Sequence, residues 1–397
     1  MAKLTIRDAD LAGRKVFVRV DFNVPMKEGE VTDATRIERA LPTIEYLIGK
    51  NSRVILASHL GNPKTEEDRK TLTMDAVGRK LSGLLGKKVK KLDDCMGDDV
   101  KKAVEDMQDG DVILLENTRL HKGEKKNDPD FVRQLASLAD VCVNDAFGTA
   151  HREHASNFGV GSILPCYAGF LMEKEIEMIG ETLKDPQRPF VAILGGAKVS
   201  SKIGVIENLI EKVDKLMIGG AMVFTFSRAL GYETGRSLVE EDKIELAAQL
   251  MKKAEEKGKK IIFPVDFICA PEVSQGQKTA ICKTEKIEDD LLGLDIGPES
   301  LKLFGEELKG AKTVIWNGPM GVFEIEDFAE GTLETARILA GLENARTIIG
   351  GGDSAAAVNK FGLEDRMTHI STGGGASLEY MEGRELPGIK VIKEKNI

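Results

Sequence analysis

Paired cysteines, aromatic side chains and long hydrophobic runs are scarce in this sequence of 397 residues. The five cysteines are scattered and none belongs to a Cys-x-x-Cys pair, which argues against a disulfide framework or a zinc site and indicates reduced thiols. No apolar run approaches the ~20 residues of a membrane-spanning helix, and the N-terminal segment lacks the apolar core of a secretory signal. We therefore expect a cytoplasmic protein that does not bind membranes.

Positive charge is also in deficit, because the formal net charge is −9. A general nucleic-acid partner would require a basic face, so we expect none. The basic run Lys87–Lys91 is interpreted as a solvated edge, with a phosphate patch as the alternative. The chain is longer than a single hydrophobic core usually supports, which predicts two domains in a soluble globular protein, expected to be a monomer.

The commonest nucleotide-binding motifs are absent as well. There is no Gly-x-x-x-x-Gly-Lys-[Ser/Thr] loop and no Gly-x-Gly-x-x-Gly after the first predicted strand. What recurs instead is an apolar run, then a polar or glycine-rich loop, then a segment with helical periodicity. This alternation predicts parallel sheets that bind ligands beyond the carboxyl ends of their strands. The predicted strands are 16–20, 54–57, 112–115, 141–143, 190–194, 216–218, 261–263, 314–316, 347–349 and 369–370.

A predicted helix with prolines near both ends divides the chain close to its middle. Met172, Ile176, Ile179 and Leu183 follow helical spacing, and prolines fix the limits of the segment. We interpret residues 169–185 as a connector helix. It separates a first domain, residues 1–168, from a second domain, residues 186–377.

The stretch Phe190–Lys202 combines a predicted buried strand with a glycine pair and two lysines. Gly195 and Gly196 would let backbone N–H groups approach a ligand, and Lys198 and Lys202, four residues apart, would project from one face of the following helix. Such an arrangement suits phosphate. The alternative is a tight turn followed by a helix with solvated lysines.

The loops of the two halves differ in chemistry. Those of the first half carry cations, namely Arg36, His59, Arg119 and Arg152, and those of the second half carry glycines. Guanidinium groups suit a small, multiply charged acid, whereas backbone N–H groups suit a polyphosphate. The pattern predicts one anionic substrate for each domain, although each arginine alone could form a surface ion pair.

Asp353 follows three glycines and precedes a helical run. A carboxylate beside a phosphate loop suits Mg²⁺, which prefers one or two carboxylates together with phosphate oxygens. The alternative role is that of a helix N-cap.

These motifs together resemble those of the phosphoglycerate kinases, in the order of that family and along the whole chain. The matching segments are Val20–Pro25, Ala57–Gly61, Glu116–Arg119, Val143–Gly148, Ala150–Arg152, Leu194–Ser200, Trp316–Glu324, Gly350–Asp353 and Ser371–Gly375. The resemblance implies an α/β fold of two Rossmann-like three-layer domains with parallel sheets, joined by an interdomain helix. It also implies that the C-terminal tail, residues 378–397, packs on the first domain.

The implied activity is that of a glycolytic and gluconeogenic kinase. It transfers a phosphoryl group reversibly between MgATP and the carboxylate of 3-phosphoglycerate, giving 1,3-bisphosphoglycerate and MgADP, with hinge closure of the two domains. Mg²⁺ is implied as the cofactor. Because a carboxylate nucleophile is ionised at neutral pH, the reaction requires no general base.

The resemblance also implies the residues of both sites. In the first half, Asp21 and Asn23 would address the hydroxyl and carboxylate region of the acid, Arg36 its reacting carboxylate, and His59, Arg119 and Arg152 its phosphate. In the second half, nucleotide binding is implied for Lys198, Lys202, Gly293, Asn317, Glu324, Gly351, Gly352, Asp353 and Ser354. Asp353 would hold Mg²⁺, and catalysis would involve Arg36, Lys198, Gly352 and Gly374.

Three positions depart from the family pattern. Asn62, a predicted substrate residue, stands where an arginine is common, Ser201 where aspartate is common and Ser354 where threonine is usual. Two other functions remain open. One is ATP-dependent activation of a different small acid, and the other is a nucleotide-binding regulatory module without catalysis, which Asn62 favours.

Overall fold

The computed structural model describes residues 2–395. The chain divides into two compact units, Met1–Glu177 with Glu385–Ile397, and Met178–Arg384. We name them unit 1 and unit 2. The last two residues of the predicted 378–397 tail, Asn396 and Ile397, lie outside the described residues.

Unit 1 is built on a six-stranded sheet in the order β5-β6-β4-β1-β7-β8, in which every neighbouring pair is parallel. Its central strands are rich in apolar residues, chiefly Val, and are almost wholly buried, as expected for a parallel sheet covered on both faces. The strands of unit 1, including the separate hairpin β2-β3, are β1 Lys15–Val20, β2 Met26–Lys27, β3 Glu30–Val31, β4 Arg53–Ala57, β5 Val89–Lys91, β6 Val112–Leu114, β7 Val141–Asp145 and β8 Cys166–Ala168.

The helices of unit 1 connect these strands, and most of them bury one apolar face, although α2 buries no residue. In α1, for example, Ile37, Ile44 and Leu47 are buried at the helical spacing that lays them against the sheet. The helices are α1 Thr35–Gly49, α2 Glu66–Thr71, α3 Asp75–Leu85, α4 Asp98–Glu105, α5 Lys122–Lys126, α6 Pro129–Ala136, α7 Val160–Ile163 and α8 Phe170–Glu175. Short 3₁₀ turns lie at Ile6–Asp8, Thr118–Leu120 and Phe147–Thr149, and a π-helical turn at Ala155–Gly159.

Unit 2 contains a second all-parallel sheet, in the order β12-β10-β9-β17-β18-β19. It also contains a five-stranded sheet, β11-β15-β14-β13-β16, whose pairs are antiparallel except β11-β15. The strands are β9 Phe190–Leu194, β10 Lys215–Ile218, β11 Glu233–Thr234, β12 Lys260–Ile262, β13 Asp266–Ala270, β14 Ala280–Lys283, β15 Lys286–Ile287, β16 Leu292–Ile296, β17 Thr313–Asn317, β18 Arg346–Gly350 and β19 His369–Ile370.

The core of unit 2 centres on Trp316 of β17, which is fully buried and donates its indole N–H to the carbonyl of Gly318 at 2.7 Å. The helices are α9 Thr182–Lys184, α10 Ile203–Ile210, α11 Val223–Ala229, α12 Ile244–Glu256, α13 Pro298–Leu308, α14 Glu330–Ala340, α15 Gly352–Lys360 and α16 Gly375–Met381. 3₁₀ turns lie at Val199–Ser201, Glu241–Lys243, Glu326–Phe328 and Glu364–Arg366.

The segment predicted as the connector is helical but not uniformly α-helical. A π-helical stretch, Ile176–Glu181, separates α8 from α9, and the boundary of the two units falls inside it, after Glu177. Of the four residues read at helical spacing, Met172, Ile179 and Leu183 are buried and Ile176 is half-buried. Each π turn inserts an extra residue into the helical repeat. Glu175, which directly precedes the π-helical stretch, is buried as well.

The end of the described chain returns to unit 1. A last helix, α17 Pro387–Lys390, follows Glu385. The Gly388 N–H donates to the Ala150 carbonyl at 2.8 Å, and the Asn144 side chain donates to the Gly388 carbonyl at 3.1 Å. In the predicted tail 378–397, unit 1 therefore resumes at Glu385, whereas the residues of α16 belong to unit 2. The domain limits predicted from the sequence remain predictions.

The fold class predicted from the sequence is confirmed. Both large sheets are parallel and covered by helices, and all ten predicted strands are present with end points that differ by one or two residues. Among the described residues, no helix has the length and hydrophobicity needed to cross a bilayer.

Candidate functional site

The predicted residues of the first half lie beyond the carboxyl ends of the unit 1 strands, except Arg36, which lies in the first turn of α1. Asp21 links two of them. Its Oδ2 is 2.5 Å from Nη1 of Arg36, and its Oδ1 is 4.0 Å from Nδ1 of His59. The carboxylate therefore orients a guanidinium group on one side and faces an imidazole on the other. We name these residues, with Arg19, Asn23, Asn62, Arg119 and Arg152, the cationic cluster.

The loop after β4 joins the other members through its backbone. The Gly61 N–H donates to Oδ1 of Asn23 at 2.8 Å, and Nη1 of Arg119 donates to the Gly61 carbonyl at 2.6 Å. The buried side chain of Asn117 accepts from the N–H groups of Leu60 and Arg119, so it holds two loops in register. Each hydrogen bond satisfies a polar group that would otherwise be buried without a partner.

Arg19 was not among the residues predicted from the sequence. It points from β1 into the interior and is fully buried. Its Nη2 lies 3.1 Å from Nδ1 of His59, and its Nε donates to Oγ of Ser156 at 2.8 Å. Ser156 in turn donates to the buried carboxylate of Glu124 at 2.6 Å. An arginine in an otherwise apolar strand was the signal available in the sequence, since a buried guanidinium is retained only with partners.

The electrostatics of the cationic cluster favour an anion. Burial, together with the charges of Arg19 and Arg119, holds the pKa of His59 well below its ordinary value, so this imidazole is neutral at physiological pH. Burial and the charges of Arg152 and Arg19 lower the pKa of Arg119 to about 10. Nε of Arg119 is buried without a hydrogen-bond partner among the described residues. The cations of this cluster repel one another, and the Nε–H of Arg119 is a free hydrogen-bond donor among the described residues. A multiply charged acid would relieve the repulsion and accept this hydrogen bond.

Unit 2 contains a cavity with a volume of about 330 Å³ beyond the carboxyl ends of its parallel strands. Its polar rim includes three predicted residues, Gly293, Glu324 and Asp353. Its apolar wall includes Phe224, Leu238 and Val273, and the last two are exposed although they are large and apolar. These wall residues were not predicted, because isolated apolar positions in loops and short helices carry no distinguishing pattern in a single sequence.

Glycine is required where two loops of unit 2 meet backbone to backbone. The Gly195 N–H donates to the Asn317 carbonyl at 2.9 Å, and the Gly196 N–H donates to the Pro319 carbonyl at 3.0 Å. A Cβ on Gly195 would overlap the carbonyl oxygens of Gly318 and Pro319. The loops after β9 and β17 can therefore approach this closely only without a side chain at position 195.

Lys202, Asn317, Gly351 and Ser354 form a second group of predicted residues in unit 2. Nζ of Lys202 donates to Oδ1 of Asn317, and the Asn317 Nδ2 is buried without a hydrogen-bond partner among the described residues. Oγ of Ser354 accepts from the Gly318 N–H at 2.6 Å. Burial lowers the pKa of Lys202 to about 8, against the opposing charges of Asp353 and Glu382. A half-buried ammonium next to an unpaired amide donor is arranged for an anion.

One local prediction for this region is wrong, and the alternative role considered for Asp353 is excluded. Lys198 and Lys202 do not share the face of one helix, because Lys198 precedes a 3₁₀ turn in extended conformation and Lys202 directly precedes α10. Oγ of Ser201 bonds the Lys198 carbonyl at 2.8 Å, and Ser200 bonds Glu240, so side chains compete with the helical pattern. Asp353 is not a helix N-cap, since Gly351 holds that position and Asp353 lies inside the first turn of α15.

Other predicted residues are less closely tied to these groups. Lys198 is exposed, and among the described residues neither Lys198 nor Gly374 lines the unit 2 cavity. Gly352 begins α15 beside Asp353, and Gly374 precedes α16 with a φ of 50°. Arg152 is linked to the cationic cluster through its charge, which lowers the pKa of both His59 and Arg119.

One parallel-sheet unit contains the cationic cluster, and the other contains a glycine-lined cavity beside a lysine and a carboxylate. Together these features define a phosphotransferase of the α/β class. A family model described as "Phosphoglycerate kinase" matches residues 6–384. The chain is 56% identical over 398 residues to the phosphoglycerate kinase of Dictyoglomus turgidum, covering 100% of both proteins, and 56% identical over 401 residues to that of Thermosipho africanus, covering 100% of this chain and 99% of that protein.

The solved structure of phosphoglycerate kinase from Coxiella burnetii superposes with a TM-score of 0.90 at 40% identity, covering 98% of each chain. The chain belongs to the phosphoglycerate kinase family. The family predicted from the sequence is therefore confirmed, and with it the class of enzyme, a kinase that uses a nucleotide.

Proposed function

We propose that the protein transfers a phosphoryl group reversibly between MgATP and 3-phosphoglycerate, with the acid bound by unit 1 and the nucleotide by unit 2. Membership of the family supports the reaction. The observation that supports this division of substrates is the cationic cluster, whose donors are side chains in unit 1, as opposed to the glycine-lined cavity of unit 2. Guanidinium groups bind a compact acid by paired hydrogen bonds, and backbone N–H groups follow a polyphosphate chain.

In unit 1, Arg36 addresses the carboxylate of the acid, and Asp21 keeps this guanidinium in place through its 2.5 Å contact. Asp21 and Asn23 contact the hydroxyl and carboxylate region. Arg119, Arg152 and neutral His59 hold the phosphate, and the unpartnered Nε of Arg119 supplies one donor.

Asn62 stands at the position where the family usually has an arginine, and it does not leave this region without charge. Nζ of Lys125, in α5, donates to Oδ1 of Asn62. The pKa of Lys125 is lowered by partial burial and by the charges of Arg119 and Arg152, so Lys125 experiences the same positive field as the cationic cluster. Lys125 therefore supplies a cation beside residue 62, which weakens the case for a module without catalysis.

In unit 2, the cavity takes the base and ribose, with Gly293 and Glu324 at its wall. Lys202, Asn317, Ser354 and the backbone of Gly351 and Gly352 hold the phosphates. Asp353 fits a hard divalent cation, because its carboxylate is exposed in the first turn of α15 and lines the same cavity. When bound, Mg²⁺ would neutralise charge on the phosphate oxygens. Lys198, exposed ahead of α10, contacts the transferred group, and the Gly374 backbone lies beside it.

The chemistry that these residues perform is positioning and charge stabilisation. The attacking carboxylate is ionised because its ordinary pKa is near ~4, so no residue has to remove a proton. Arg36 aligns the attacking oxygen, and Lys198 stabilises the charge that accumulates on the equatorial phosphoryl oxygens. Because separate units bind the two substrates, transfer requires hinge closure, which also excludes water. Solution scattering should show smaller dimensions with both substrates than with neither, and identical dimensions would contradict closure.

The direct test is ADP-dependent formation of ATP from 1,3-bisphosphoglycerate by the purified chain. Substitution Lys198→Ala should lower kcat by about 100-fold or more, the scale for removing one preorganised electrostatic contact, with a smaller change in the affinity for ATP. Near-normal turnover of this variant would remove Lys198 from its role. Absence of ATP formation, with phosphorylation of another small acid instead, would contradict the proposed substrate.

A further inference from the structure

Asp94, Cys95 and His121 form a group outside the two sites described above. Asp94 and Cys95 lie in the loop after β5, and His121 ends the 3₁₀ turn after β6, so two neighbouring parallel strands deliver them to the same edge of the unit 1 sheet. One ligand atom from each side chain lies within 4.8 Å of the other two. Among the described residues, this is the only group of three or more His, Cys, Asp or Glu side chains that meets that limit.

The group is held in place by its surroundings. Nε2 of His121 is 2.6 Å from Oδ1 of Asp94, and the Cys95 N–H donates to the same oxygen at 2.6 Å. The imidazole stacks on Phe131 with ring centroids 4.9 Å apart and an angle of 23° between the planes. A ligand set with fixed ring orientation loses little conformational entropy when it binds an ion.

Access is possible from one side. The side chains of Asp94 and His121 are 51% and 21% exposed, whereas Cys95 is buried beneath them and its Sγ donates to the Glu116 carbonyl at 2.8 Å. An ion arriving from solvent would therefore meet the carboxylate and the imidazole first and the sulfur last.

The local charge is negative. Asp93, Asp94 and the buried carboxylate of Glu116 lie nearby, and Nζ of Lys91 is 2.7 Å from Glu116, 3.2 Å from Asp93 and 3.1 Å from Asp75. The buried carboxylate of Glu124 instead faces His154 at 4.0 Å and interacts with the charge of Arg19. Carboxylates at this density attract a dication, and a bound dication stabilises a thiolate ligand.

We propose that Asp94, Cys95 and His121 form a binding site for a thiophilic divalent cation such as Zn²⁺. The ligands are Oδ1 of Asp94, Sγ of Cys95 and Nε2 of His121, and water completes four-coordination. On binding, the Cys95 thiol releases its proton to solvent and gives up its hydrogen bond to the Glu116 carbonyl. His121 likewise gives up the Nε2 proton that it shares with Asp94, so its neutral imidazole carries its remaining proton on Nδ1 and binds the ion through Nε2. Zinc takes such sulfur, nitrogen and oxygen ligands at about 2.0–2.3 Å, so modest side-chain shifts suffice. Mg²⁺ is excluded, because hard cations prefer oxygen ligands alone.

The test is a titration of the full-length, metal-free protein with Co²⁺, which reports a thiolate ligand through a sulfur-to-cobalt charge-transfer band. We expect one Co²⁺ per chain with this band, and we expect Zn²⁺ but not Mg²⁺ to displace it. Cys95→Ser should abolish the band. His121→Asn should retain a weaker band with an affinity about 10- to 100-fold lower, the scale for disturbing a ligand set. Because His121 is partly exposed, this variant keeps the test informative if Cys95→Ser does not fold.

The control is Cys282→Ser, which removes a buried thiol from the five-stranded sheet of unit 2 and should leave the band unchanged. Loss of the band in Cys282→Ser would assign it elsewhere and overturn the proposal. Persistence of the band in Cys95→Ser, unchanged affinity in His121→Asn, or the absence of any band in the wild-type protein would do the same.

Discussion

The sites proposed for the two anionic substrates lie on similar parallel sheets, but they are built from different chemical groups. In both, the candidate residues lie mainly beyond the carboxyl ends of parallel strands. Unit 1 places charged side chains there and holds them through other side chains, as Asp21 holds Arg36. Unit 2 places bare backbone there, and a side chain at Gly195 would collide with the neighbouring loop. The proposed site in unit 1 therefore depends on charged side chains, whereas the proposed site in unit 2 depends on glycines that let two loops approach each other.

This difference extends to buried charge. Unit 1 buries Arg19 completely and satisfies it with Ser156, His59 and a backbone carbonyl, so a cation is sustained in its interior. Unit 2 instead buries the carboxyl of Asp295, whose pKa burial raises to about 8 although the Gly331 and Ile296 N–H groups bond it. The comparison shows that unit 1 sustains a buried guanidinium through its partners, whereas burial in unit 2 favours the neutral form of Asp295.

The largest effect that tests this comparison is expected for Arg36→Ala. Removing a positioned guanidinium should lower kcat/KM for 3-phosphoglycerate by about 100- to 1,000-fold, the scale for losing one preorganised charge contact. Arg36→Lys should recover little of this, since an ammonium lacks the planar fork. The measurement is steady-state kinetics with each substrate varied in turn, and the KM for ATP should stay near the wild-type value.

Arg39→Ala is the matched control, because Arg39 lies three residues further along the same helix. Its kinetics should remain near wild type. The unfolding midpoint of Arg36→Ala should change little, since a partly exposed ion pair contributes about 0–1 kcal/mol. Equal losses for the two variants would show that α1, and not the Arg36 guanidinium, is what the substrate requires.

The contrast between the units also explains what sequence reasoning found and what it missed. Short continuous apolar runs such as Phe190–Leu194 identified the buried strands, because a parallel sheet covered on both faces favours apolar residues at every position. The five-stranded sheet of unit 2 was missed, since β11 and β15 have only two residues each and β14 is largely exposed. Its pairing depends on distant partners that no local pattern encodes.

Site residues followed the same division. Arg119 was found because a charged residue next to a predicted strand stands out, and Arg36 was found as a cation between predicted strands, although it lies in α1. Arg19 was hidden inside a strand and depends on Ser156 from a distant loop. The helix predicted to carry Lys198 failed because serine side chains bond the local backbone instead. When the role of a residue depends on partners that are distant in the chain, as for Arg19 and Ser156, a single sequence does not specify that role.

In unit 2, Gly351→Ala should weaken nucleotide binding through a steric effect, whereas Arg36→Ala in unit 1 removes a charge. Gly351 has a φ of 88°, and an added Cβ would lie 3.1 Å from the Asn317 amide nitrogen. The added Cβ would displace the Asn317 amide that is proposed to contact the phosphates, so ADP affinity measured by calorimetry should fall by about 10-fold, the scale of ~1.4 kcal/mol. The left-handed backbone itself costs about 1–2 kcal/mol, which should appear in the free energy of unfolding. Gly362→Ala is the control, because Gly362 has a φ of 65° with open space around it. Equal loss of ADP binding in both variants would mean that only backbone strain matters.

His154 tests the buried-charge side of the comparison. Burial and the charges of Arg119 and Arg19 lower its pKa to about 4 from the ordinary 6.5. As pH falls, the unfolded chain takes up this proton first, so the stabilisation is complete above about pH 6.5 and is lost toward pH 4. Relative to His154→Gln, the wild-type protein should lose about 1–2 kcal/mol of unfolding free energy between pH 7.5 and pH 5 in urea titrations.

Asp295 provides the contrast of opposite sign. Its folded pKa of about 8 exceeds the ordinary 3.8, so its contribution is complete below about pH 4 and is lost as pH rises toward 8. Asp295→Asn should therefore remove a loss of stability that the wild-type protein shows between about pH 4 and pH 8. Parallel pH profiles for wild type and His154→Gln would show that the cations of unit 1 do not act on His154 as described.

The smallest effect is expected for Lys125→Ala, which tests how far side-chain charge in unit 1 is interchangeable. Lys125 is exposed, so its attraction for a bound acid is screened, and KM for 3-phosphoglycerate should rise only about 2- to 5-fold at low salt, less at high salt. Asn62→Arg in the same variant should restore the KM, because the charge returns beside the contact that Lys125 makes. Lys126→Ala, an exposed neighbour, should change nothing. If Lys125→Ala and Lys126→Ala have the same KM, then Lys125 does not replace the arginine that the family usually has at position 62. Unit 1 would then function with one cation fewer than the family pattern.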